Sequence, residues 1–268
     1  MKRRNSSDLL QRYFSPRHSM SFSPLVFQFA TLVRRACYAE VGPFNEALVR
    51  SQDYEMALRL LRRFEARFVD APVFLQREHA GTRGSGSDRF AAAQNMSRWA
   101  QYDRTVFAQL RPLVADDEYL PRPLAHLQGA LRQRAALLQK SCIYARREMW
   151  DGAIEDLGAA VRAGGPEPIS AAEEAIAGRW LLGKHGCRRL ACEPELALRI
   201  ARACAGSAFG HSVLTGLGRP LIWRARAAAT TGLMTECRGY LAALVRLSGM
   251  RGLAAAVSYS TRRRVLRA

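Results

Sequence analysis

The stretch from Gly42 to Leu60, GPFNEALVRSQDYEMALRL, constrains the local fold more than any other part of the chain. Gly42 and Pro43 interrupt a helix-like run, because glycine takes backbone angles closed to other residues and proline lacks the amide a helix interior needs. Ser51 is placed to cap a new helix, in which Tyr54, Ala57, Leu58 and Leu61 recur at helical spacing and predict a buried stripe. Asp53 then falls in the first turn, where unpaired backbone N–H groups and the helix dipole favour negative charge. A carboxylate there is ready to accept a hydrogen bond or a proton.

These residues and their flanks resemble the acceptor-side half of a family 2 glycosyltransferase of the GT-A type. The family's segment reads v-G-G-F-D-E-x-L, a few residues, then E-D-Y-x-L-x-x-R. Val41, Gly42, Phe44, Glu46 and Leu48 fit its first half, and Asp53, Tyr54, Leu58 and Arg59 its second. Asn45 stands for the usual Asp and Gln52 for the usual Glu. LVRRACYAEVG (Leu32 to Gly42) resembles the family's strand-into-helix entry, and FLQREHAGTRGSGS (Phe74 to Ser87) its Y-R-x-H, loop, S segment.

The resemblance implies an α/β fragment, the C-terminal half of a GT-A domain, followed by a mainly α-helical region. The family's nucleotide-sugar half, which ends in Asp-x-Asp, has no counterpart. Asp8 is the only acid before Glu40, and Met1 to Arg35 is too short for several parallel strands with crossover helices. The expectation is a chain truncated at its N-terminus and inactive as it stands.

The family's reaction is an inverting sugar transfer from a nucleotide-sugar to a hydroxyl of a carbohydrate or lipid-linked acceptor. By that resemblance Asp53 is the catalytic base, Gln52, Phe44, Arg77 and Arg83 contact substrate, and His79 helps hold a divalent cation, Mg or Mn. Each has a plainer explanation: Asp53 as a helix-terminal charge, Phe44 as core, His79 and the arginines as loop residues. The loop Gly81 to Ser87 lacks the Lys-Ser/Thr ending of a P-loop and reads as a flap.

Composition adds weaker bounds. At 268 residues and 49% hydrophobic, the chain can bury one or two cores. A net charge of +18 invites nucleic acid or an anionic membrane, yet all but three of the 41 basic residues are arginine, an excess that a GC-rich coding sequence also produces. Nucleic acid is disfavoured, because no recognition motif or aromatic stacking platform accompanies the charge. Six scattered cysteines fit no zinc spacing and read as buried free thiols in a reducing compartment. With no signal-like apolar region and no membrane span, the expected address is the cytoplasm or the inner face of its membrane.

Organisation changes near residue 90. Before it, strand-like runs (Leu25 to Val33, Arg67 to Val69, Val73 to Leu75) mix with helices; after it, Ala, Leu and Arg follow helical periodicity. The reading is therefore 1–90 as the acceptor-side part, 91–218 as a helical extension and 219–268 as a basic tail. Leu124 to Ala163 reads as a helical hairpin with tetratricopeptide-like spacing at Tyr144, Ala153, Leu157 and Ala160, but without a second copy. The tail carries ten Arg against one acid, Glu236, among apolar residues, which suits either an anionic bilayer or a packed helical face. A non-catalytic helical protein-protein interaction module, or a basic membrane-surface or nucleic-acid binder, is the alternative to the enzyme.

Overall fold

The computed structural model describes residues 31–64, 95–120, 124–165, 167–182 and 187–265, with side chains from 95–99, 251–253 and 255–265 excluded. Two compact units divide the chain between Glu118 and Tyr119.

In the first unit α1 (Arg35–Val41), α2 (Gln52–Arg63) and α3 (Asn95–Leu110) are followed by a 3-10 turn at Asp116–Tyr119. Leu48, Met56, Ala57, Leu58, Val106 and Phe107 are buried, and the rings of Tyr54 on α2 and Phe107 on α3 lie 6.2 Å apart. Arg62 locks the end of α2 in place: it donates to Glu118 at 2.8 and 3.1 Å and to the Leu113 carbonyl at 2.8 Å.

The α/β expectation is corrected here. Every regular element among the described residues is a helix, with no strand or sheet. Residues 31–33, the only described part of the strand-like runs, are irregular; 67–69 and 73–75 lie outside the described residues, as does residue 90. The apolar face of α2, which a sheet would have to cover, meets α3 through Tyr54 and Phe107.

The second unit contains α4 (Gly129–Ala145), α5 (Trp150–Ala163), α6 (Ala171–Ala177), α7 (Arg188–Cys192), α8 (Pro194–Ala203), α9 (Ala208–Thr230) and α10 (Met234–Val265). The segment read as a helical hairpin is α4 and α5, packed on each other. From Arg134 to Ala145 nearly every side chain of α4 is buried, so this helix lies at the centre of the unit. Tyr144, Ala153, Leu157 and Ala160 are all fully buried. The indoles of Trp150 and Trp180 are 5.7 Å apart, and Trp180 donates to Ser141 at 2.5 Å. Deeper still, Arg134 meets both carboxylate oxygens of Glu173 at 2.8 and 2.9 Å, while Glu173 completes a capping box with Ser170 at the start of α6.

Residue 219, read as the start of a separate tail, lies inside α9. Helices α9 and α10 form an antiparallel hairpin closed by Gly232 at φ 77°, with Leu233 N–H donating to Ala228 O at 2.8 Å. That pairing is a Schellman turn, which needs a left-handed residue and here has glycine. Leu221, Ile222, Ala225, Ala228, Tyr240, Ala243, Leu244 and Leu247 are buried. Gly249, at φ 65° and ψ −176°, breaks α10 into two segments. Among the described residues no helix is long and apolar enough to cross a membrane.

Candidate functional site

The candidate site is built on the turn between α1 and α2. Helix α1 ends where Gly42 takes φ 85° and returns its N–H to the Tyr38 carbonyl at 2.9 Å. A side chain at that φ would be strained, so the glycine of the motif is a backbone requirement. Phe44 follows, half-buried, with its ring 6.3 Å from that of Tyr38. Asn45, in the position of the family's Asp, accepts the Ala47 N–H at 3.1 Å and donates to Gln109 at 3.2 Å, which fixes the turn against α3.

Helix α2 starts differently from the expectation. Ser51 is buried in the left-handed region at φ 60°, and its hydroxyl makes no cap bond. Its carbonyl still opens the helix by accepting the Glu55 N–H at 2.9 Å. The side chain that takes an orphan first-turn amide is Asp53, whose Oδ1 accepts the Tyr54 N–H at 2.8 Å. Asp53 is partly exposed, so its second oxygen can serve an incoming group. Gln52, expected on substrate, donates to the Leu48 carbonyl and is used in holding the turn. Of the expected stripe, Ala57 and Leu58 are buried, Tyr54 and Leu61 are partly exposed, and Met56 joins the core.

Arg59 had no assigned role. Its guanidinium donates to the Val41 carbonyl at 2.6 Å and the Pro43 carbonyl at 2.7 Å, and to both oxygens of Glu55 at 2.7 and 2.9 Å. It therefore laces the first half of the motif to the second. The sequence signal was the acid-to-base step of four residues from Glu55 to Arg59, which places both on one helix face.

Arg77, His79 and Arg83 lie outside the described residues. Among the described residues no three His, Cys, Asp or Glu side chains converge in a way that could hold a metal ion. The divalent cation expected from the resemblance rests on His79, which lies outside the described residues. Among the thiols of the second unit, burial raises Cys142, and pushes Cys187 up to about 11 and Cys204 up to about 12. Cys192, by contrast, is exposed, which corrects the expectation that all six thiols are buried.

No family model, no curated protein and no solved structure matches this chain.

Proposed function

We propose that residues 35–63 form the acceptor-side unit of a sugar-transfer enzyme, with Asp53 as the base that takes the proton of the acceptor hydroxyl. The observation that carries the reading is the turn-helix unit itself. A left-handed glycine, a half-buried Phe44 and a first-turn carboxylate follow one another along the turn and the start of α2, and Arg59 ties the Val41 and Pro43 carbonyls to that helix. In the reaction the acceptor oxygen bonds to the anomeric carbon, the bond to the diphosphate breaks, and the proton passes to Asp53 Oδ2 across about 3 Å. Phe44 offers an aromatic face to an acceptor ring. The nucleotide-sugar is held by a donor-binding part that the described residues do not include.

Two measurements test this. Saturation-transfer NMR of the full chain with a panel of mono- and oligosaccharides should find an acceptor whose signal weakens in Phe44→Ala. Fused to the donor half of a family 2 enzyme, the chain should transfer sugar, and Asp53→Asn should lower turnover about 10²- to 10⁴-fold with acceptor binding retained. Saturation of no saccharide, or equal turnover by the Asn variant, overturns the proposal.

A further inference from the structure

The apolar residues of the α9–α10 hairpin divide into two sets. One set, including Leu221, Ile222, Leu244 and Leu247, fills the core. The other stays in water: Trp223 is 56% exposed, Leu233 and Met234 are each 50%, and Met250 is 68%. Leu241 and Val245 are also exposed. On α10, Met234, Leu241 and Val245 stand at steps of seven and four residues, so they form one stripe along the helix opposite its buried side.

Arginine flanks that stripe. Arg238 lies within it and Arg246 beside it; both are exposed, and neither has an ion-pair partner among the described residues. The hairpin's one acid, Glu236, is only 20% exposed and is taken up by Arg188 at 2.8 Å. Beyond the Gly249 break, the segment Met250 to Val265 contributes Arg251, Arg262, Arg263 and Arg264 and no acid. Scattered exposed leucines are ordinary on a protein surface, but an aligned apolar stripe edged by one sign of charge needs a partner that is both apolar and anionic.

From this complementarity we infer that the α9–α10 hairpin is a peripheral docking surface for an anionic phospholipid bilayer. Met234, Leu241 and Val245 enter the boundary between headgroups and acyl chains, and Arg238 and Arg246 meet lipid phosphates and carboxylates. Trp223 is of the residue type that settles at such boundaries. The glycine break lets the last helical segment take its own direction against the membrane plane. This inference does not depend on the sugar-transfer reading, because nothing from residues 35–63 enters it.

The test is co-sedimentation of the full chain with vesicles of phosphatidylcholine containing phosphatidylserine, and with phosphatidylcholine alone. The expected result is pelleting with the anionic vesicles only, lost as salt rises past about 0.15 M and the Debye length shrinks below about 8 Å. Arg238→Gln and Arg246→Gln should each lower partitioning about fivefold, and together roughly thirtyfold. Met234→Ser with Leu241→Ser should weaken binding without changing the circular dichroism spectrum, since both side chains are exposed in the folded chain. Equal pelleting with neutral vesicles, tight binding to duplex DNA without vesicle binding, or a concentration-dependent dimer abolished by the serine changes would each overturn it.

Discussion

Arg59 and Glu55 sit one turn apart on α2, and their bidentate pair at 2.7 and 2.9 Å is what holds the Val41-Gly42-Pro43 backbone onto the helix. Glu55 takes two of the guanidinium donors, and the carbonyls of Val41 and Pro43 are reached from the same planar group. Both side chains are largely shielded, at 23% and 10% exposed, so the pair is worth more than a surface ion pair. Arg59→Ala should cost about 2–3 kcal/mol locally, the sum of charge-assisted bonds lost and a buried carboxylate left alone. Arg59→Lys should not restore it, because an ammonium cannot fork to the same acceptors. Amide hydrogen exchange across residues 42–56 measures this. Unchanged protection in the Ala variant would show that the turn holds without its clasp.

The Arg134–Glu173 pair calls for a different expectation, because its side chains are 3% and 0% exposed. Arg134 also reaches the Glu167 carbonyl at 3.1 Å and stacks 4.4 Å from the centre of the Phe209 ring, so it joins α4 to the loop before α6 and to α9. Arg134→Met leaves Glu173 charged and buried, and should destabilise the second unit by about 3–5 kcal/mol in urea unfolding. Adding Glu173→Gln should recover part of that loss, because the stranded charge is gone. Additive losses in the double variant would mean that the two groups are not energetically coupled.

How much of this was legible before the structure depends on sequence separation. The start of α2, the stripe through Ala57 and Leu58 and the need for glycine at residue 42 follow from neighbours along the chain, and they were readable. Ser51 was misjudged because capping preference does not reveal that the residue sits in the left-handed region, where its hydroxyl has no amide to meet. Runs as short as Arg67 to Val69 carry no periodicity, so they gave weak grounds for a sheet. The centre of the second unit left little pattern either: a helix buried all round shows no polar face. Ser141 and Trp180, or Arg134 and Glu173, pair across 39 residues. In the tail, Leu244 and Leu241 look alike in sequence, and only the packing of α9 on α10 decides which one stays in water.

Gly239 on α10 is a place where the usual sign of a substitution reverses. Glycine to alanine inside a helix normally gains up to about 1 kcal/mol. At Gly239 the added carbon would overlap the carbonyl oxygen and backbone of Ala191 on α7, and a backbone cannot swing aside as a flexible side chain can. Gly239→Ala should therefore lower the unfolding midpoint, by about 1–3 kcal/mol in free energy. Gly249→Ala should also be unfavourable, though through strain at φ 65° rather than contact, since open space surrounds that position. A stabilised Gly239→Ala protein would show that α7 and α10 are not in close backbone contact.

Stability should fall in alkali because of the buried thiols. Cys187 is pushed up to about 11 by burial, against the lowering pull of Arg224, and Cys204 up to about 12 by burial alone. In the unfolded chain both titrate at about 8.5. Above that pH the unfolded chain releases protons that the folded chain retains, so unfolding becomes easier as pH rises, until the folded thiols themselves ionise. Each thiol should contribute a slope of about 1.4 kcal/mol per pH unit, beginning near pH 8.5 and ending at the folded value. The curve should be level with respect to these groups below that window. Cys204→Ala costs some packing at every pH, yet it should flatten the alkaline limb by one thiol's share when urea unfolding is repeated across pH 8 to about 11. Thiol labelling of the native protein near pH 8 should reach exposed Cys192 well before buried Cys142, Cys187 and Cys204. An alkaline slope identical in the wild type and the Cys204→Ala variant would mean that the thiol ionises as readily folded as unfolded, and that the core around α8 admits water.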